Sequence, residues 1–499
     1  MTKAPIALLL FSCAGLLAWQ SPDQTWPGFR GADGRGLASD TAKFPAEFGP
    51  HKALVWQIEL PVGHGSPCVW NNRIYVTGFD AASKKIEVIA IDRKKGQLVW
   101  RRPIPAESIE KVHATSSPAT STPVTDGKRV YVYAGSYGLI AFNWDGSIAW
   151  QYPMGVATSL FGSGASPVLA GEVVVVTRDY PPDPFMVALN TKDGSVAWKA
   201  ELVKSTQMGP RTAHSTPILW NGQIVLNRPG EVSAYSPQDG KRLWWIATAS
   251  PGTASLTSGQ ESIYVHAPAF GSDTYSSMKL PPFPEALEKY DANKDGKLSR
   301  DEAPPDDLYI MKRAGVPDDV PGAHFTIKSM FGSIDFNRDG TVDAFEYNMM
   351  RGMDLSKMSK GAAGIVAIRP EGEGQLPPAA VQWAEPRGAP EVPTPLEYRG
   401  RVYSVNSGGV LTCIDAKSGK LVYRGRVNAP GAYMASPVAG GGKVFVSSVE
   451  GVVSVLGGGD TLEVLSNNDL GEPVYGTPAL VDSGVYIRSL RHLWAFGMK

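Results

Sequence analysis

Two stretches of the sequence place oxygen-bearing side chains where a hard cation would need them. In Asp291 to Glu302 (DANKDGKLSRDE) the positions concerned are Asp291, Asn293, Asp295, Lys297, Ser299 and Glu302. In Asp335 to Glu346 (DFNRDGTVDAFE) they are Asp335, Asn337, Asp339, Thr341, Asp343 and Glu346. Short side chains at positions 1, 3 and 5 converge on one ion, glycine at 6 (Gly296, Gly340) permits the sharp bend, position 7 offers its carbonyl, and glutamate at 12 closes the site with both oxygens. The chemistry implied is binding of Ca²⁺ at two sites. The second loop carries four acids at these positions and the first three, so tighter binding is expected at the second.

Such loops need helices at both ends, and the flanks supply them. Pro284 suits a first helical turn leading to Leu287 and Tyr290, Phe325 to Ile334 enters the second loop, and Phe345 to Met353 leaves it. Leu298 and Val342, at position 8 of each loop, are placed to join the two loops as a short strand pair. The expectation is an EF-hand pair with one departure. Pro304-Pro305 follows Glu302 almost at once and stops the first exit helix, which favours a structural calcium module over one that opens as a sensor.

The pair interrupts a repeat. Ala90 to Trp100 (AIDRKKGQLVW) recurs as Ala188 to Trp198, Ala234 to Trp244, Ala141 to Trp150 with one residue fewer, and Cys413 to Tyr423 with tyrosine in place of tryptophan. Apolar alternation on either side of a polar turn, with glycine where φ must be positive, reads as a β-hairpin, and the terminal indole is large enough to pack against the next copy. A second marker, Ser/Thr-Pro, opens an apolar strand at Ser66, Thr122, Ser166, Thr216, Thr394, Ser436 and Thr477. Together they give four antiparallel strands per repeat, the pattern of a β-propeller blade. The hairpin-ending positions are Trp56, Trp100, Trp150, Trp198, Trp244, Trp383, Tyr423 and, degraded, Val464, so eight blades are expected. Leu54-Val55-Trp56 repeats Leu98-Val99-Trp100 without preceding strands of its own, and is expected to pair with the C-terminal strands and close the ring, leaving no open sheet edge. Trp383 comes 139 positions after Trp244, about 90 more than one blade needs. The excess falls between the second and third strands of the fifth blade.

The expected organisation is a signal peptide at 1–20, an N-terminal extension at 21–52, the first part of an all-β propeller at 53–271 with its closing strand at 54–60, the EF-hand insertion at 272–361 and the rest of the propeller at 362–499. Lys3 followed by apolar Ile6 to Leu17 has the form of an export signal and is short for a membrane span. The run Leu10-Phe11-Ser12-Cys13 is a poor lipidation site because Phe11 is bulky and the apolar run continues past Cys13, so a periplasmic or extracellular product with no membrane span after cleavage is expected over an anchored one. Cys68 and Cys413 then remain, in distant repeats, as two buried thiols. Lys+Arg and Asp+Glu balance at 48 each, which leaves no electrostatic footprint for nucleic acid.

The A-x-D-x-x-x-G-x-x-x-W hairpin resembles the tryptophan-docking repeat of the pyrroloquinoline quinone (PQQ) propeller family, which includes quinoprotein alcohol dehydrogenases and BamB-type assembly factors. The resemblance implies an eight-bladed propeller. Its enzymes usually carry adjacent cysteines beneath the quinone, and many carry a c-type haem motif; this sequence has neither, so PQQ is not expected. The function expected is binding or scaffolding in the cell envelope or outside the cell, with a protein partner or small ligand at a propeller face and calcium stiffening the insert. The alternative is a PQQ-dependent dehydrogenase acting on an alcohol or sugar. No catalytic residue is assigned. His64, His113 and His214, each upstream of a Ser/Thr-Pro, with Arg211, are candidates for a ligand-binding rim, and Arg178-Asp179 reads as an ion pair at the same level.

Overall fold

The computed structural model describes residues 24–113, 115–159, 161–204, 212–268, 275–276, 279–305, 308–313, 324–335, 337–352, 361–429 and 431–498. Eight four-stranded antiparallel units stand around a central axis, so the chain is an eight-bladed propeller. In blade three, for example, Val168–Ala170, Val173–Arg178, Phe185–Asn190 and Val196–Glu201 follow one another outward. The second and third strands of a blade are covered on both faces by neighbouring blades. They therefore read as continuous apolar runs such as Val173–Arg178 (VVVVTR), whereas the outermost strand, half in solvent, alternates. In blade four the second and third strands form one run, Gln223–Tyr235, which pairs with Ile218–Trp220 and with Arg242–Pro251. The eighth blade takes its outer strand from the start of the chain: Leu54–Glu59 pairs antiparallel with His492–Phe496.

Two repeated locks hold the ring. The indole Nε1 of Trp56, Trp100, Trp150, Trp198 and Trp383 donates to a carbonyl in the third-to-fourth-strand turn of the next blade, respectively that of Arg93, Trp144, Thr191, Pro237 and Ala416. Each indole also lies on the turn glycine. A Cβ on Gly194 would stand 2.6 Å from the Trp150 ring, and Gly194 has φ +75°, so both shape and backbone require glycine there. Blade four departs because the matching turn of blade five is longer. Gly374–Gln375 pairs in parallel with Trp244–Trp245, and the Trp244 indole donates to Gln223 instead.

The second lock explains the Ser/Thr-Pro marker. The backbone N–H of Ser66 donates to the Thr122 hydroxyl, Thr122 to Ser166, Ser166 to Thr216, Thr216 to Ser255, Thr394 to Ser436, Ser436 to Thr477, and Thr477 back to Ser66. These hydroxyls form a belt at the inner-strand starts, the end termed upper below. In blade five the belt residue is Ser255 followed by Leu256, which is why the marker skips that blade.

Along the inner strands, past the belt, runs a strap. Thr25–Trp26 adds to the innermost strand of blade one. The Pro27 carbonyl then accepts from Thr125 N–H of blade two, Arg35 pairs with Glu397 of blade six, Leu37 bridges Ala439 of blade seven, and Lys43 N–H reaches Ser483 of blade eight. Trp26, Phe44 and Phe48 are buried with the core of blades one, seven and eight.

Candidate functional site

The insertion leaves the upper end of blade five after Ile263–Ala267 and returns at Gly364–Ile368. It has its own core, with Phe283, Ala286, Leu298, Ile310, Phe331, Ile334, Val342 and Tyr347 in contact. Helices Phe283–Tyr290 and Ile327–Ile334 enter the two loops, the latter capped by Thr326 and Ser329 in a reciprocal box, and helix Ala344–Gly352 leaves the second. After Glu302 the chain passes Pro304-Pro305 and continues as a strand, Tyr309–Arg313, paired with His324–Thr326. Leu298 and Ser299 pair with Val342 and Thr341, which sets the loops back to back.

Gly296 and Gly340 take φ +79° and +83° at the bends. In the first loop Asp291 Oδ2 accepts from Gly296 N–H at 2.9 Å, while its Oδ1 is buried with no partner, and Glu302 folds across to accept from Asn293 N–H and Ser299. In the second, Asp335 accepts from Asp339 and Gly340 N–H, and buried Glu346 accepts from Asn337 and Asp343 N–H. Among the described residues no three acid, histidine or cysteine side chains already converge as a metal cluster, because the carboxylates hold loop amides. The orphaned Asp291 oxygen and the inward-facing Glu302 and Glu346 fit a hard cation. Lys297 reaches across from the first loop to Asp339 of the second at 2.8 Å, and this contact, ahead of Thr341, holds the Asp339 carboxyl well below the usual range.

At the upper mouth of the propeller the rim candidates fall into two groups. His64 stacks on Tyr475, centroids 4.0 Å apart. Both lie two residues before a belt hydroxyl, in adjacent blades, and His214 holds the same register in blade four. That register was the signal that would have found Tyr475. His113 arrives from a longer loop and lies against Phe161, which His214 also touches edge-on. Burial pushes His64 and His214 down to about 4, so both rings are neutral at pH 7. Arg211 lies outside the described residues.

On the same loop as His113, Glu110 is 4% exposed, accepts from the Ser163 hydroxyl, and packs where Gly135 leaves room for it. Burial pushes its carboxyl up to about 7. Asp179 pairs with Arg228 of the next blade, not with Arg178; Arg178 donates to the Met154 and Gly155 carbonyls. Arg488 ends the equivalent strand of blade eight; its Nη2 donates to the Pro61 carbonyl, while its Nε and Nη1 have no hydrogen-bond partner. Cys68 and Cys413 are free, buried and in different blades, and burial raises both thiols.

A family model described as outer membrane protein assembly factor BamB matches residues 48–225, 156–273 and 353–495, and an EF-hand model matches 285–302. Among solved structures, BamB from Moraxella catarrhalis is similar over 89% of this chain and 97% of its own at 11% identity, TM-score 0.50. Quinohemoprotein alcohol dehydrogenase from Comamonas testosteroni is similar over 96% and 82% at 14% identity, TM-score 0.54. A europium-containing methanol dehydrogenase is similar over 96% and 99% at 12% identity, TM-score 0.51. No curated protein sequence matches the chain. At these identities the structural likenesses speak to the fold, which binders and dehydrogenases share.

Proposed function

The chain belongs to the family of the outer membrane protein assembly factor BamB, and on that premise we propose that it is an exported binding propeller whose inserted EF-hand pair is stiffened by calcium. The observation that supports binding over catalysis is the state of the polar groups at the upper mouth. Arg228 is forked onto Asp179, Arg178 is held by carbonyls, and His64 is stacked on Tyr475. Each ties neighbouring segments together instead of standing free for a substrate. Beside them stand the rings of His64, Tyr475, His113, Phe161 and His214, with His64 and His214 held neutral by burial, an aromatic cluster suited to a protein segment or a small ligand. Calcium would be held by the Asp291 to Glu302 and Asp335 to Glu346 loops, where it supplies charge compensation and no redox chemistry. Among the described residues no helix is long and apolar enough to cross a membrane, and export rests on the apolar leader at Ile6 to Leu17.

The dehydrogenase reading shares the fold and is separated by one experiment. Mature protein is mixed with PQQ in calcium buffer, dialysed, and assayed by dye reduction against alcohols and sugars. Loss of all quinone absorbance and no substrate-dependent reduction are expected; retained quinone with turnover would replace the binding assignment with an enzymatic one.

A further inference from the structure

A charged contact crosses between the two EF-hand loops, and it runs one way. Lys297 stands at position 7 of the first loop, where the chain offers an ion its carbonyl, so the side chain is free for another task. That side chain crosses to the second loop, where its Nζ meets Asp339 Oδ2 at 2.8 Å. The next two residues, Leu298 and Ser299, pair with Val342 and Thr341, which brings the loops within a lysine's reach of each other.

The two oxygens of Asp339 have different duties. Oδ1 accepts from the Thr341 N–H at 2.9 Å and from the Thr341 hydroxyl at 2.6 Å, and so holds the bend of its own loop. Oδ2 is therefore the oxygen that position 5 can give to an ion. It is also the one that Lys297 holds, together with the Asn337 amide at 3.2 Å. The first loop repeats this frame without the cation. Asp295 Oδ1 accepts from Lys297 N–H at 2.9 Å and its Oδ2 from the Asn293 amide at 3.0 Å, and among the described residues no lysine or arginine pairs with it. Position 7 of the second loop is Thr341, uncharged and too short to return the contact.

This asymmetry bears on affinity. The second loop has one acid more than the first at its ligand positions, while each loop has one basic residue at position 4, Lys294 and Arg338. The ammonium of Lys297, set against Asp339, cancels that extra acid. We propose that Lys297 is a tethered competitor for calcium at the second loop: the ion must displace the ammonium from Asp339 Oδ2, and the first loop thereby sets the affinity of the second. The proposal rests on the calcium reading of the loops given above. A calcium ion and an ammonium on one carboxylate oxygen repel each other, so the two occupants exclude one another. The pair is half in solvent, with side chains 41% and 35% exposed, and adds little to stability. Its effect falls on the binding equilibrium, where one unit charge about 4 Å from another in water is worth about fivefold.

The test uses the full mature chain and calorimetric titration with calcium chloride. Glu302→Gln weakens the first loop so that the second is read by itself. In that background Lys297→Met should tighten calcium binding about fivefold, whereas Lys297→Arg, which keeps the charge, should leave it weak. The native chain gives a readout that needs no variant: acetylation of Lys297, followed by mass spectrometry, should become faster when calcium is added, because the ammonium is released from Asp339. A Lys297→Met affinity within about twofold of its parent, or an acetylation rate that calcium leaves unchanged or lowers, overturns the competitor and leaves calcium in the loops. A native chain that takes up no calcium at all would remove the reading beneath the proposal, and the proposal with it.

Discussion

Removing the carboxylate of Asp179 tests how the upper mouth is built. Arg228 Nε and Nη2 meet the two Asp179 oxygens at 2.7 and 3.0 Å, a two-point fork between blades three and four, and the side chains are 2% and 4% exposed. Breaking a buried pair by deleting one partner typically costs about 3–5 kcal/mol, since the survivor keeps its charge without its counter-charge. Arg228 retains the Val203 carbonyl at 2.6 Å and Glu231 at 3.1 Å, which partly compensate it. Asp179→Ala should therefore fall at the lower end, about 3 kcal/mol, a large share of the roughly 5–15 kcal/mol that a folded domain has in hand. Replacing both partners by apolar residues of like size, Asp179→Leu with Arg228→Met, should bring stability back to within about 1 kcal/mol of the native chain. The measurement is urea unfolding followed by tryptophan fluorescence on the native chain, both single variants and the double, read as a double-mutant cycle. If the single variants cost under about 1 kcal/mol, or if their effects simply add, the pair is not the inter-blade fastening described here. Because Asp179 also accepts from Ala213 N–H through its backbone carbonyl, the damaged variant should also expose the segment carrying His214 to proteolysis.

Three further outcomes are expected. Glu346→Gln should weaken calcium binding at the second loop by roughly tenfold or more, because it removes one of the charges that set affinity in such loops; an unchanged calorimetric isotherm would remove calcium from that loop. Glu110 has its carboxyl raised by burial from 4.5 to about 7. Its contribution to stability is therefore whole below about pH 4.5 and is lost as pH rises to 7, a change of about 3 kcal/mol. Glu110→Gln should flatten that part of the stability-against-pH curve, and a curve that keeps its slope would assign the titration to another group. Trp150→Ala removes the indole from Gly194 and its bond to Thr191 and should cost about 3–5 kcal/mol; a loss below 1 kcal/mol by chemical denaturation would mean that the indole is not a lock between blades.

Most of the ring was legible because each blade repeats the same local physics. The Asp-x-x-x-Gly turn, the indole nine or ten residues after the first strand's alanine and the hydroxyl before proline each recur, so a single misread copy is corrected by the others. Blade five shows the limit of that redundancy. Its Ser255 sits in the belt without proline, and its third-to-fourth-strand turn is long enough to pair Gly374–Gln375 with blade four, so neither marker is complete there. The EF-hand loops were legible for a related reason, the residues that define them being contiguous in sequence. The mouth was not. Glu110, Phe161, Tyr475 and Arg228 each meet their partners, Ser163, His214, His64 and Asp179, across distant stretches of sequence, and the Asp179 partner was misread as its sequence neighbour Arg178 because adjacency along a strand points alternate side chains to opposite faces.

The strap is the harder case, and it decides what the propeller can do. Residues 30–36 (RGADGRG) have no apolar period and read as a loop, since their structure comes from partners hundreds of residues away: Pro437 for Arg30, Glu397 for Arg35, Ala439 for Gly36. A propeller closed only by its outer strand would keep an open central channel. This one lines that channel with its own chain, fixed by backbone pairing to blades one and seven and by an ion pair to blade six. On the proposed binding reading, recognition falls to the upper face, where the insertion also emerges from blade five. A partner of the kind proposed would meet a surface whose rigidity is set from below by the strap and the hydroxyl belt, and from the side by the EF-hand insertion.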